Sequence, residues 1–195
     1  VPTGVALRDV REQLFDAAER VLLRDGPRAL TSRAVTTEAG CAKGVLHRHF
    51  ADFDDFLTEL VLDRIRRIER QSVVLRESAG TGTVTGNLAA VLTDLFNSVA
   101  LQILGLITFR DDLRARLRQA GAARVPVAME ATAMIASYLA AERDAGRIAA
   151  GADVDTLAPT LVGAGHLLFC DRESPPPDDE AVRRLVSTVI SSVLR

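Results

Sequence analysis

Apolar residues recur at intervals of three and four along almost the whole chain, which is the period of an amphipathic helix. Leu7, Val10, Leu14, Ala17, Ala18, Val21 and Leu22 make one face of a first helix, and Gly26-Pro27 ends it. Thr31 or Ser32 then caps a short helix reaching Ala39, and Gly40 breaks it. A second short helix is predicted from about Ala42 to Phe50. Asp52 caps a long one, with Phe53, Phe56, Leu57, Leu60, Val61, Ile65, Ile68 and Leu75 along one side. The stretch from Gly80 to Gly86 is rich in Gly and Thr but lacks the Gly-Lys-Ser/Thr ending of a phosphate loop, so it reads as a flexible joint. Further helices are predicted from about Asn87 to Leu104, from Phe109 to Arg118, and from Pro126 to Ala145, where Gly146 stops the last of them. Another is capped by Asp155 and reaches Cys170. After the turn at Pro175-Pro176-Pro177, Asp178, Asp179 and Glu180 sit at the positive N-terminal end of a final helix. No strand-like alternation interrupts this pattern, and the predicted class is all-α.

Two short helices joined by a glycine-containing turn form a helix-turn-helix pattern. Val35 and Ala39 face inward on the first helix. Leu46 and Phe50, four apart, share the buried face of the second. Lys43, Gly44, Val45 and His47 are left toward solvent, and the small Ala42 and Gly44 let this helix lie deep in a major groove. Lys43 is the only lysine in the chain.

Charge supports this reading only once the chain is divided. The net charge is −2, but residues 1–50 carry +2 and residues 51–195 carry −4. Between Arg28 and Phe50 the cations are Arg28, Arg33, Lys43 and Arg48, His47 and His49 lie among them, and Glu38 is the only acid. A basic patch on an acidic protein localises an anionic partner. A second basic run, Arg64, Arg66, Arg67 and Arg70, reads as a solvated helix face whose first member can help to position DNA.

The stretch Leu30 to Leu57, LTSRAVTTEAGCAKGVLHRHFADFDDFL, resembles the TetR family of bacterial transcriptional regulators. Thr31, Ala39-Gly40, Gly44, His49-Phe50 and Leu57 fit the family pattern. Val35-Thr36 replaces Ile-Ala, Cys41-Ala42 replaces Val-Ser, His47 takes a Tyr position and Phe53 a Lys position. In the family that Tyr and Lys commonly touch phosphates. His47 can still donate to one and Phe53 cannot, so the resemblance implies a weaker phosphate clamp. It also implies a three-helix DNA-binding domain over residues 1–51 and a helical ligand-binding and dimerisation body over residues 52–195. Thr31, Ser32, Arg33 and Arg48 would then hold the phosphates, while Ala42, Lys43, Gly44, Val45 and His47 face the bases.

Composition narrows the alternatives. With 195 residues, 48% apolar and 26% charged, the chain fits a globular protein of one domain, or a small module fused to a larger one. No apolar run approaches the ~18 residues of a membrane span, so no membrane partner is expected. Arg8, Asp9, Arg11 and Glu12 interrupt any signal-peptide core. Cys41 and Cys170 lie far apart without CxxC spacing, which excludes a disulfide scaffold and fits a cytoplasmic protein. Cys41 reads as a small apolar plug in the turn rather than a redox sensor.

The body offers candidate interior residues: Leu92, Leu95, Phe96, Val99, Ile103, Phe109, Met129, Met134, Tyr138, His166 and Phe169. Leu92, Phe96, Phe109, Met129, Met134, Tyr138, His166 and Phe169 are the candidate effector pocket, with Asn97 and Gln102 as further polar groups. Such a pocket favours an apolar or aromatic small molecule held by one or two hydrogen bonds. His166 and Cys170 are four apart, but two ligands make no metal site, and neither cofactor nor catalytic triad is expected. Two apolar stripes close the chain: Leu157, Leu161, Ala164, Gly165 and Leu168 on one helix, then Val182, Leu185, Val186, Val189, Ile190 and Val193 on the next. Two such helices can cover a monomer core or form half of a four-helix dimer interface. The family dimerises in the second way. The expected protein is therefore a homodimeric repressor of a palindromic operator, released by a small effector. The alternative is a helical small-molecule-binding protein or enzyme whose short-helix pair is structural.

Overall fold

A computed structural model describes residues 5–96, 99–171 and 175–195, with side chains from residue 10 onward. The side chains of Leu7 and Asn97 lie outside the described residues. The described elements are helices: α1 (Val5–Asp25), a single 3-10 turn (Pro27–Ala29), α2 (Ser32–Glu38), α3 (Gly44–His49), α4 (Phe53–Glu77), α5 (Val84–Phe96), α6 (Ala100–Thr108), α7 (Asp111–Gln119), α8 (Ala128–Asp144), α9 (Val154–Phe169) and α10 (Asp179–Ile190). They divide into two compact units, Val1–Asp63 with Gln102–Ala123, and Arg64–Leu101 with Arg124–Arg195.

In the first unit α1 packs on α2, and α2 on α3. Leu14, Ala17, Ala18, Val21, Leu22, Val35, Leu46 and Phe50 are buried together, as their spacing predicts. An aromatic cluster closes this core, with Phe50 edge-on to Phe56 at 5.0 Å and Phe15 against both. The start of α4 is a reciprocal cap. Asp52 Oδ1 accepts from the Asp55 N–H at 2.7 Å, and Asp55 Oδ2 accepts from the Ala51 N–H at 2.9 Å. The other Asp52 oxygen accepts from Arg116 of α7 at 2.8 Å. The Asp55 N–H and the Arg116 guanidinium together hold the Asp52 carboxyl below the usual range.

In the second unit α9 packs against α8, α5 and α10, and α10 also covers α5. Among the described glycines Gly165 is the most closely packed, since a Cβ there would stand 2.5 Å from Phe96 Cε2. Residues 80–83 are not a flexible joint. Glu142 and Arg147 fasten them. The Gly80 N–H donates to Glu142 Oε2 at 3.2 Å, and Arg147 donates to the carbonyls of Gly82 at 2.9 Å and Thr81 at 3.1 Å. Arg147 Nε also donates to Glu142 at 2.7 Å. Glu142 is 0% exposed. Burial pushes its carboxyl up, but hydrogen bonds from Arg147, Tyr138 and Gly80 outweigh this and leave it below the usual carboxylate range. Burial, and then the hydrogen bond with Glu142, push the Tyr138 phenol up.

Four further sequence expectations need correction here. The helix predicted from Asn87 to Leu104 is two elements, α5 beginning at Val84 and α6 at Ala100. The apolar spacing of Leu92, Phe96, Val99 and Ile103 carries on across this interval, so periodicity alone does not reveal it. Pro126 precedes α8, whose N-cap is Val127 at φ 72°. The cap of α9 is Asp153, accepting from the Thr156 N–H at 3.1 Å, and Asp155 lies in the first turn. Arg64, expected on a solvated face, is 6% exposed.

Candidate functional site

The turn between α2 and α3 is built by the backbone. Gly40 has φ 65°, which a Cβ would resist. Its N–H bonds the Thr37 carbonyl at 3.1 Å and the Cys41 N–H bonds the Thr36 carbonyl at 3.0 Å, the two bonds of a Schellman motif. Thr31 caps α2 by accepting from the Ala34 N–H at 3.1 Å, which leaves its hydroxyl proton available for a phosphate oxygen. Ser32 is the first residue of the helix, and its hydroxyl oxygen is buried in the free chain without a hydrogen-bond partner. Arg33 is exposed.

On α3 the division is sharp. Leu46 is 0% exposed, and Phe50 just beyond the helix is buried. Ala42, Lys43, Gly44, His47 and Arg48 are exposed and Val45 is half-buried. A Cβ on Gly44 would meet nothing within 4 Å. The face therefore presents one flexible cation, one imidazole, one guanidinium and a smooth patch at Ala42 and Gly44. That inventory suits phosphate oxygens and base edges.

Two arginine arrangements that the sequence pattern does not reveal hold this face in place. Arg11 of α1 lies over the Phe50 ring at 4.4 Å, donates to the His49 carbonyl at 3.3 Å and pairs with Glu59 at 3.2 Å. It ties the end of α3 to α1 and α4. Glu38, the only acid in the basic segment, accepts from Arg20 and Arg24 of α1, each at 2.8 Å. These hydrogen bonds hold its carboxyl below the usual range. Phe53 stacks on Phe56 at 5.7 Å, with the Arg110 guanidinium 5.8 Å from its own ring.

The residues expected to line an effector pocket are mostly filled core. Leu92, Met134 and Tyr138 are fully buried, and Asn87 donates to the Tyr138 hydroxyl at 2.9 Å. Phe96 stacks on Phe169 at 5.6 Å and lies edge-on to the half-buried His166 at 6.4 Å. Phe109 is 84% exposed and Met129 49% exposed, so neither is interior. Phe109 falls just past the end of α6, and Met129 opens α8, where an apolar residue points outward. Among the described residues no three of His, Cys, Asp and Glu gather as metal ligands. No single described helix is long and apolar enough to cross a membrane.

The terminal stripes mostly cover the unit's own core. Leu161, Gly165, Val182, Val186 and Ile190 are buried within it and so cannot meet a partner. Leu157, Leu168, Leu185, Val189 and Val193 are half-buried. The outward side of α9 is a face the stripe reading missed: Thr156, Pro159, Thr160, Gly163 and Leu167 are exposed and carry no charge, and Leu167 is 73% exposed.

Residues 14–60 match the family model of "Bacterial regulatory proteins, tetR family". No curated protein sequence matches the chain. Among solved structures, the chain is similar to a protein of Mesorhizobium loti MAFF303099 described as a TetR-family transcriptional regulator, with TM-score 0.68 and 19% identity over 95% of both chains. A protein of Rhodococcus sp. with the same description has TM-score 0.69 and 19% identity, over 95% of this chain and 98% of that one. The transcriptional regulator FadR of Bacillus subtilis, solved with stearoyl-CoA, has TM-score 0.62 and 17% identity, over 93% and 98%. At these identities the likeness is one of fold. The chain therefore has, at its N-terminal end, the helix-turn-helix domain of the tetR family of bacterial regulatory proteins, on a helical body folded as in that family's regulators.

Proposed function

We propose that the chain is a cytoplasmic, homodimeric transcriptional repressor, which holds a palindromic operator and releases it when a small-molecule effector binds. The observation that carries this is the exposed face of α3, with Ala42, Lys43, Gly44, His47 and Arg48 outward over buried Leu46. Lys43, Gly44, Val45 and His47 meet the major groove. Thr31, Ser32, Arg33 and Arg48 set the register on the phosphates. Residues 1–51 read the duplex, and residues 52–195 hold the effector and the partner subunit. The stearoyl-CoA found with the FadR structure supports a small-molecule effector. The uncharged outward face of α9, with half-buried Leu185 and Val189 beside it in sequence on α10, supports pairing of two bodies. Two recognition helices from one dimer read two half-sites about one helical turn apart.

An effector shifts the protein only through its different affinities for the DNA-bound and DNA-free states, and the effect is reciprocal. Selection of duplexes from a random pool by the purified full chain tests the reading. An inverted repeat with salt-dependent affinity is expected. A chain that enriches no duplex at low salt, or one that turns over a substrate without binding DNA, would overturn it.

A further inference from the structure

Along α4 the residues Arg64, Arg67, Gln71, Val74 and Ser78 recur three and four apart, and so share one helix face. Asn87, Ala90, Val91 and Asp94 do the same on α5. These two faces wall a groove of about 610 Å³, within the range of small-molecule sites. Arg64, Arg67 and Arg70 are among its lining residues, and Asp94 is the one acid among them. The lining is therefore net positive, in a region of sequence (residues 51–195) whose net charge is −4. Arg64 is the most deeply buried of the three. Low-dielectric walls focus the field of such charges. Val74, Leu75, Ala90 and Val91 supply an apolar wall beside the cations, and the short side chain of Ala90 leaves the groove open.

Resting on the regulator reading above, we infer that this groove is the effector site and that its ligand is an amphiphilic organic anion. The carboxylate or phosphate head lies against Arg67 and Arg70, whose planar forks match it with paired hydrogen bonds. The apolar tail lies along Val74, Leu75, Ala90 and Val91. The class differs from the apolar or aromatic ligand expected for a pocket at Phe96 and Phe169, because Phe96 stacks on Phe169 and packs against Gly165.

Calorimetric titration of the full chain tests this with four probes: dodecanoate and dodecyl phosphate below their micelle concentrations, dodecanol below its solubility limit, and inorganic phosphate. The two amphiphilic anions should bind at least tenfold more tightly than dodecanol or inorganic phosphate. Arg67→Gln with Arg70→Gln should weaken both anions at least tenfold and leave dodecanol unchanged. Ala90→Phe, at an exposed position, should block both anions, and it carries the test if the double variant does not fold. Equal binding of dodecanol and dodecanoate overturns the anionic class. Inorganic phosphate binding as well as the amphiphiles overturns the apolar tail site. Anion binding untouched by Ala90→Phe overturns the location. Duplex binding, measured on the same samples, separates this inference from the one beneath it. Duplex binding without anion binding overturns the groove and leaves the regulator standing. A chain that binds no duplex overturns the regulator. A double variant that binds duplex with a lower salt dependence assigns the arginines to DNA phosphates and overturns the inference.

Discussion

Replacing Lys43 by Ala isolates the electrostatic contribution of the proposed recognition helix, α3. The side chain is exposed, and as N-cap of α3 it makes no capping hydrogen bond, so its removal should change stability by no more than about 0.5 kcal/mol. Each lysine that neutralises a phosphate releases counterions and contributes about 0.9 to the slope of log K against log salt. The proposed dimer presents two copies, so the slope should flatten by about 1.8. Between 50 and 200 mM salt, a fourfold range, the advantage of the wild type over the variant should shrink about twelvefold. Fluorescence anisotropy with the selected duplex at four or five salt concentrations gives both lines directly. Lys43→Arg should restore the slope, because the charge is kept. Parallel lines with the loss concentrated at one base pair, about 1–3 kcal/mol, would mean that Lys43 reads a guanine edge instead. Coincident lines would refute the placement of α3 in the groove.

Other consequences can be measured without DNA. Glu142→Gln removes the charge that holds Arg147, which is 27% exposed and so keeps some solvent contact. The cost should fall below the 3–5 kcal/mol of a fully buried pair, at about 2–3 kcal/mol, a fall of roughly 4–12 °C in melting temperature for a chain of this size. Because the folded pKa of Glu142 is depressed, its contribution is present above the unfolded value of about 4.5 and is lost as pH falls through that value toward the folded one. The variant's stability should accordingly depend less on pH on the acid side, and an unchanged acid limb in chemical unfolding would contradict this. Gly163→Glu with Leu167→Glu places charge on the exposed face of α9 and should yield folded monomers in sedimentation, because unpaired carboxylates are costly at an apolar interface. A variant that still sediments as a dimer would put the interface elsewhere. Gly165→Ala should cost about 1–3 kcal/mol, since Phe96 must move to admit the methyl group; unaltered melting would show that the ring yields freely.

What the sequence reveals and what it hides divide along one line. The pair α2 and α3 is legible because its signals are local: a Thr cap, a Gly turn and two buried residues four apart. The stripes of α9 and α10 are legible as stripes but not in their destination. An amphipathic face looks the same whether its own core or a partner lies beneath it, and Leu161, Val182 and Val186 turn inward. A pocket is harder still, because it is a volume left over by distant side chains. The ring of Phe96 against Gly165, far apart in sequence, fills space that composition leaves open. Arg11 on Phe50 and Arg147 on the turn at Gly80–Gly82 join residues tens of positions apart, and no local pattern announces either.

The framework of the helix-turn-helix is separate from its outward chemistry. Gly40, the Schellman bonds, Val35, Leu46 and Phe50 fix the angle of α3, while Lys43, His47 and Arg48 make no side-chain hydrogen bond among the described residues. Exchanges at those three positions leave the scaffold's folding free energy nearly untouched. With the proposed operator read by these three residues, a lineage drifts from one operator to another through single substitutions, with every intermediate folded, and selection acts on which DNA is held rather than on whether the protein survives.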